Sequence, residues 1–477
     1  MQYLPSSGEV SSLLNSLQKS KVGYQTALVP DPTAAISPLV PQQLQNTLSV
    51  ATSSMSDLKL WPLLSKSPAR NTVVEYNRVT RHGGDISPFI AEGGTASLNR
   101  SQYEKVAVQM RYLAEKREVT DQAAEMMIMG PTPNVIAEET KRGTERLLRR
   151  VERELFHGDS SINPLAWDGV IKQIKDNGNK GDLRGKALTA TRISEILGHI
   201  YSAPFYGMVS HILVTPRVLT ELIKQTVHHG RHDQLQVSGD TLTYGTQNIS
   251  VTGPYGPIPV VACPFLERHD RIAPALATSQ VYEGTVIAPT ISAQPNAVAD
   301  ATAKFAAGGA TGYRYRVVPV GDAGVGVPVD TNAELVGANE HITFTLAQAD
   351  GTDTVKYYKV YRSALDAADA NGSLLIGEFK NDGANTTIID RNFNIPGTSE
   401  ALFVNLAPDH MEYFQLLSLI RRPLAQVTTS YPFLLMMFGA PAVKLPTKMF
   451  SLSNCGVNAS EGLSGISDPV MLGLLGS

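Results

Sequence analysis

Cysteine is almost missing from this chain. Cys263 and Cys455 are its only two among 477 residues, which excludes a disulfide framework and makes folding under reducing conditions the expectation. Charge is sparse as well: Asp, Glu, Lys and Arg make up 18% of the residues, against roughly a quarter in an average soluble domain. The longest apolar run, Phe433 to Ala440, falls far short of the ~20 residues of a membrane span. The opening Met-Gln-Tyr-Leu-Pro-Ser-Ser has no basic or apolar stretch, so no secretion signal is expected. Asn385 and Asn458 begin matches to the glycosylation pattern, which read as chance in such a chain. These absences point to a soluble protein made inside a cell.

What is present is a long chain that is 42% hydrophobic, enough for two or three domains with real cores. Little charge and no membrane span leave much uncharged surface, which suits a subunit with extensive contacts. The net charge of −3 is unevenly spread. Leu276 to Glu400 holds 14 acidic and 8 basic residues, a net of −6, leaving +3 for the rest. An acidic module is set into a slightly basic body.

The strongest local signal runs from Pro133 to Gly169. Asn134 can cap a helix, with Glu138 and Glu139 near its positive end and Arg149, Arg150 and Arg153 near its negative end. Ile136, Thr140, Leu147, Leu148, Val151 and Leu155 recur at helical spacing and form one apolar stripe. Glu138–Arg142 and Glu145–Arg149 are i,i+4 pairs in the favourable orientation, and Gly158 follows as the stop. A Gly/Asp/Ser turn and a Pro-started loop then drop Trp167 into the core before another helix begins.

That run, F-H-G-D-S-S…N-P-L-A-W-D-G from Phe156 to Gly169, resembles the junction after the long spine helix of tailed-phage major capsid proteins. The order of the surrounding segments fits the same family, whose shell-forming fold bacterial encapsulins share. The resemblance implies an α+β, HK97-like capsid fold: N-terminal arm, E-loop hairpin, spine helix, P-domain and A-domain. It sets the segments as 1–65 (arm), 66–130 (E-loop and flanking P-domain strands), 131–180 (spine helix and the next helix) and 181–278 (A-domain). After these come 279–400 (an inserted module) and 401–477 (A-domain return, closing P-domain strands and a tail of unassigned role).

The remaining patterns fill these segments. Residues 1–65 are rich in Ser, Leu, Gln and Pro and read as an arm laid over a surface. The segment is too short for a built-in scaffold, so a separate scaffolding protein is expected. Asn71–Arg81 and Ser101–Leu113 alternate as strands with mixed faces, a hairpin that needs something to lie on. In the family this is the E-loop, which packs over the adjacent subunit. Arg81, His82, Asp85 and Glu92 near its tip are the expected intersubunit contacts. No lysine lies between Lys66 and Lys105, so the isopeptide crosslink of some relatives is not expected.

Thr191–Ser202 and Pro216 to about Val227 read as helices, Ile212–Val214 as a buried strand, and Leu235–Val261 as hairpins. Ala288–Asn296 reads as a linker. Short alternating strands from Tyr313 to Asp390 indicate a β-sandwich resembling immunoglobulin or fibronectin-like modules inserted in some capsid proteins. Met411–Ile420 is helix-compatible. Tyr431–Phe438 and Ala442–Leu452 read as a strand pair joined at Gly439-Ala440-Pro441, resembling the closing P-domain strands.

No catalytic constellation emerges. Gly181–Lys186 and Gly321–Gly326 fail as nucleotide loops, and His157 beside Asp159-Ser160 is adequately explained as a turn. His228, His229, His232 and Asp233 are the densest metal-capable group, but no Glu or Cys completes it. No enzyme activity, cofactor or metal is expected. Arg142, Arg146, Arg149 and Arg153 on the spine helix read either as DNA-facing or, preferred, as intersubunit ion pairs with Glu138, Glu145 and Glu152.

The resemblance implies self-assembly into hexamers and pentamers of an icosahedral shell, with portal, scaffolding and decoration proteins as partners and packaged double-stranded DNA held without sequence specificity. It implies assembly in the host bacterial cytoplasm and residence in the virion. The alternatives are an encapsulin-like compartment, an Ig-like adhesin or glycan-binding protein, and a metal hydrolase at the His228 group.

Overall fold

A computed structural model describes residues 55–125, 135–228, 236–238, 241–243, 250–268 and 286–456, apart from positions 86, 88, 91, 255, 287, 307, 322–323, 349–354 and 427. The element type is mixed α+β, as expected, with helices few and strands many.

The long helix runs Val135–His157. Leu147, Leu148, Val151 and Leu155 are buried as the stripe requires, and Phe156 joins them; the cap at Asn134 lies outside the described residues. The helix crosses the sheet at Gly143, where a Cβ would meet Leu435 at 2.5 Å. At its end two glycines bring backbones together. Gly169 N–H donates to Gly158 O at 2.8 Å, and a Cβ on Gly158 would sit 2.6 Å from the Trp167 carbonyl. Trp167 is buried, as expected, edge-on to Tyr413 at 5.9 Å, with its Nε1 donating to Glu154 O at 3.0 Å. Lys172 bridges Asp159 and Asp168 across the same corner, and the Ser160 hydroxyl donates to Asp168 at 2.7 Å. Burial alone would raise the Asp168 carboxyl, but Lys172 and Ser160 outweigh it and hold it below the usual range.

The helix packs on a four-stranded sheet in the spatial order Lys66–Pro68, Met411–Pro423, Ser430–Val443, Arg111–Thr120. Three expectations are corrected here. Met411–Ile420 is strand, paired with both neighbours. Ser430–Val443 is one strand, not two joined at Gly439-Ala440-Pro441, and the strand pair's second half begins only at Phe450–Cys455, in another sheet. Gly439 serves close approach: a Cβ there would meet the Tyr413 hydroxyl and the Phe414 carbonyl at 2.5 Å. Ser101–Leu113 divides at buried Met110, so that Gln102–Gln109 pairs with Val73–Arg81 while Arg111–Thr120 belongs to the four-stranded sheet.

A six-stranded sheet runs Lys180–Asp182, Phe450–Cys455, Ser399–Val404, His211–Val214, Gly256–Ala262, Ser250–Gly253. Helices Ala190–Tyr201 and Pro216–His228 match the expected spans. They build a core with it through Ile193, Leu197, Ile212, Val218 and Phe403. Pro216 stands first in its helix, where its missing N–H costs nothing. Lys180–Asp182 forms a short parallel pair with Ser451–Ser453.

Between these parts lies a two-sheet unit. Thr290–Ala299, Glu340–Ala347 and Asn385–Asp390 form one sheet; Tyr315–Gly321, Val355–Arg362 and Leu374–Lys380 form the main part of the other. Tyr315, Val317, Phe344, Tyr358 and Ile388 fill the space between them. Thr290–Ala299 corrects the linker expected at Ala288–Asn296. It is an edge strand whose register shifts between Ala293 and Asn296, where Pro295 is accommodated. Strand Ser399–Val404 follows this unit in the chain and belongs to the six-stranded sheet.

Candidate assembly surfaces

The ribbon of Val73–Arg81 and Gln102–Gln109 pairs with no third strand among the described residues. At its root Val74, Tyr76 and Val108 pack on the main core. Outward, it is held by its own ion pairs, Arg78–Glu104 at 2.8 Å and Lys105–Glu75. Asn99 closes the start of the tip by accepting from Gly84 N–H at 2.8 Å and donating to Gly84 O at 3.0 Å.

Beyond that clasp the tip is apolar and open to water. Phe89 is 89% exposed, Leu98 74% and Ile90 57%. Arg81, His82, Asp85 and Glu92, chosen from sequence, are likewise exposed. The three apolar side chains were missed, although large apolar residues in a Gly/Pro/Ser-rich loop are a readable sign of a contact. Exposed aromatic and aliphatic groups clustered this way mark a surface meant to be covered.

The second surface is the groove between edge strand Arg111–Thr120 and the long helix, about 830 Å3 in volume. Leu113, Leu147 and Phe265 give it an apolar floor, and Arg146, Arg149, Arg150 and Arg153 line one side. The arginines chosen from sequence therefore separate. Arg142 is held within its own helix by Glu138 at 2.7 Å and Glu145 at 3.1 Å, and Arg149 also reaches Glu145 at 3.9 Å. Arg146 is 74% exposed and touches Glu115 only at 3.6 Å. Arg117, not singled out from sequence, pairs with Glu115 of its own strand at 2.8 Å and ties that strand to the helix through Glu139 at 2.7 Å.

Glu152 corrects the expectation that it belongs to this charged face. Its side chain is fully buried and accepts from three backbone N–H groups of residues 59–61. Burial pushes its carboxyl above the usual range, against the pull of those three hydrogen bonds. Nearby Cys263 is also buried, its thiol pushed up to about 12 chiefly by burial, and it is a core residue as expected.

Among the described residues no group of three His, Cys, Asp or Glu side chains is placed to hold a metal, and no helix is long and apolar enough to cross a membrane. The group His229, His232 and Asp233, with the His228 side chain, lies outside what is described.

No family model matches the chain. Its similarity to curated proteins nonetheless spans nearly the whole length. The major capsid protein of Staphylococcus phage K is 23% identical over 467 residues, covering 91% of this chain and 93% of that one. A relative from Enterococcus phage phiEF24C is 24% identical over 470 residues, covering 92% and 96%. Among solved structures, the capsid of a native GTA particle overlaps 89% of this chain and 98% of its own at 10% identity, with a TM-score of 0.47. The holo-SrpI encapsulin complex from Synechococcus elongatus PCC 7942 overlaps 91% and 99% at 10% identity, with a TM-score of 0.44. Over about nine-tenths of its length the chain is thus similar to phage major capsid proteins.

Proposed function

We propose that this chain is the major capsid protein of a tailed double-stranded DNA phage, closing in many copies into an icosahedral shell around the genome. One observation carries the reading: a ribbon that pairs with no third strand among the described residues exposes Phe89, Ile90 and Leu98 to water near its tip. A head-to-tail contact, tip of one copy on the body of the next, repeats around a closed ring. The full-length similarity to capsid proteins supports the same conclusion. Hexamers and pentamers, a portal, a separate scaffolding protein and possible decoration proteins belong to this reading, as do assembly in the bacterial cytoplasm and the absence of an enzymatic role. The segment boundaries 1–65, 66–130, 131–180, 181–278, 279–400 and 401–477 belong to it too, and so does the immunoglobulin-like kinship of the two-sheet unit.

The groove supplies the complementary surface. Arg150 pairs with Glu154 of its own helix at 3.0 Å and Arg146 reaches Glu115 at 3.6 Å, yet both arginine side chains stay more than half exposed, which leaves them open to a further acidic partner on a neighbour. A neighbour's tip offers Asp85 and Glu92 beside Phe89 and Ile90, matching arginines above an apolar floor. Co-expression with the scaffolding protein followed by electron microscopy tests the function: closed particles are expected, and a chain that stays monomeric overturns it. Reversing Arg150 and Arg153 to Glu should block assembly, and reversing Asp85 and Glu92 to Lys in the same chain should restore it. If the arginines face DNA instead, their neutralisation leaves shells intact and lowers only genome content.

A further inference from the structure

The helical turn Leu60–Leu63 has no cap of its own: the Lys59 side chain makes no capping hydrogen bond. A residue some ninety positions later supplies it. Glu152 Oε1 accepts from Leu60 N–H at 2.6 Å and Lys59 N–H at 3.0 Å, and Oε2 accepts from Trp61 N–H at 2.7 Å. The turn opens a strap that continues to Ala69. Leu60 and Leu64 are buried, Trp61 stands edge-on to Tyr413 at 5.0 Å, and Lys66–Pro68 pairs in parallel with Tyr413–Gln415. Ser67 donates to Glu412 at 2.7 Å. The strap thus joins the long helix to the outer edge of the four-stranded sheet.

We propose that Glu152 is a releasable latch that fixes where the N-terminal part of the chain leaves the body. A carboxylate withdrawn from water is costly unless its oxygens are taken, and here the takers are backbone N–H groups of the strap itself. When the strap lifts, both the carboxylate and the three N–H groups regain water. The parts that then detach are one helical turn and a three-residue edge strand, and the sheet keeps its three long strands. The latch is therefore balanced between a buried charge that favours release and, on the side of closure, its hydrogen bonds together with the burial of Leu60 and Leu64. Its consequence, steering the N-terminal segment onto neighbours, rests on the shell-forming reading; its test does not.

Hydrogen exchange on the unassembled full-length chain reads the latch directly. In the unchanged protein the amides of residues 59–61 should exchange together, and faster than those of Leu435–Val443. Exchange only with the whole sheet would overturn the proposal, because the strap would then have no opening of its own. Glu152→Gln keeps the size but sets an amide NH2 against backbone donors. It should speed exchange at 59–61 at least a hundredfold and tryptic cleavage after Lys59 and Lys66 at least tenfold, while Leu435–Val443 stays protected. Glu152→Asp, which keeps the charge, should fall between. Unchanged exchange in Glu152→Gln, or loss of protection throughout the sheet, would also overturn it. Failure to form particles with a normal latch would instead count against the shell alone.

Discussion

The ribbon and the two-sheet unit are built from the same material, antiparallel strands rich in Val, Tyr and Thr, yet they stand differently toward water. The unit closes on itself: Tyr315, Phe344 and Tyr358 are at most 1% exposed, and both sheets contribute to one core. The ribbon leaves Phe89 at 89% exposed and Leu98 at 74%, and beyond its root its strands are held by their backbone ladder and cross-strand ion pairs. Strand propensity is common to both; what separates them is a second layer. A region with its own second layer is a domain, and a region without one must borrow a layer from another molecule.

The sharpest way to break this comparison is at the tip. Changing Phe89, Ile90 and Leu98 together to Ser should reduce particle yield at least tenfold while the melting temperature of the unassembled chain stays within about 2 °C, since exposed surface substitutions cost little to the fold. A large loss of melting temperature would mean that the tip packs on its own chain, and the contrast would fail. The converse is a peptide of residues 70–111, which should be unstructured by circular dichroism, against a fragment of residues 286–398 unfolding cooperatively with about 5 kcal/mol or more.

The next effect lies inside the two-sheet unit. Arg362 and Asp390 are each 5% exposed on their side chains and pair at 2.7 Å; the Tyr315 hydroxyl donates to the same carboxylate at 3.0 Å. The guanidinium also lies 5.1 Å from the ring centres of Phe305 and Tyr313. Removing one partner strands the other charge. Arg362→Ala should cost about 3–5 kcal/mol, measured by denaturant unfolding, with the tip and particle geometry unaffected in whatever fraction folds. A cost under 1 kcal/mol would show that the unit does not depend on its own interior.

A smaller effect separates the long helix from both regions. Gly143→Ala places a methyl where Leu435 Cδ1 and Arg117 Nε stand at 2.5 and 2.9 Å. It should destabilise by about 1–3 kcal/mol despite the higher helix propensity of alanine. A stabilised variant would show that the helix can move off its sheet freely.

How much of this was legible in sequence follows the range of the forces. Val135–His157 and buried Trp167 were readable because periodicity, charge placement and the glycine stops all act within a few residues. Met411–Ile420 was not: an apolar run without clear alternation suits helix or buried strand equally, and only pairing with Ser65–Pro68 and Gly439–Val443 decides it. Pro295 and Pro441 suggested a break, yet each sits in a strand, Pro295 at an edge and Pro441 beside the Gly439 close approach. The tip residues Arg81, His82, Asp85 and Glu92 are exposed, as a contact surface requires, and their role as contacts stays a proposal. Glu152 was misplaced because sequence shows its helix neighbours but not the strap 91 to 93 residues before it.

The smallest effect concerns how the self-sufficient unit is held to the body. Lys304 reaches Asp182 at 2.9 Å, and the Arg184 guanidinium donates to the carbonyls of Asn392 at 2.7 Å and Lys304 at 2.9 Å. Asn454 donates to Asp182 at 2.7 Å and to Phe393 O at 2.8 Å. Burial would raise the Asp182 carboxyl, but Lys304, Asn454 and the Arg184 N–H outweigh it and hold it below the ordinary value. A carboxyl depressed in the folded state adds stability above its unfolded pKa, and that stability is lost as pH falls through the folded value. The pairs are partly exposed, so the contribution is about 0.5 kcal/mol. Asp182→Asn should therefore lower stability slightly at pH 7 and progressively less as the pH falls below the ordinary carboxylate range, judged by unfolding at neutral and at acidic pH. Equal effects at both would assign the role to the shape of Asp182 rather than its charge, and the two regions would then be joined by packing alone.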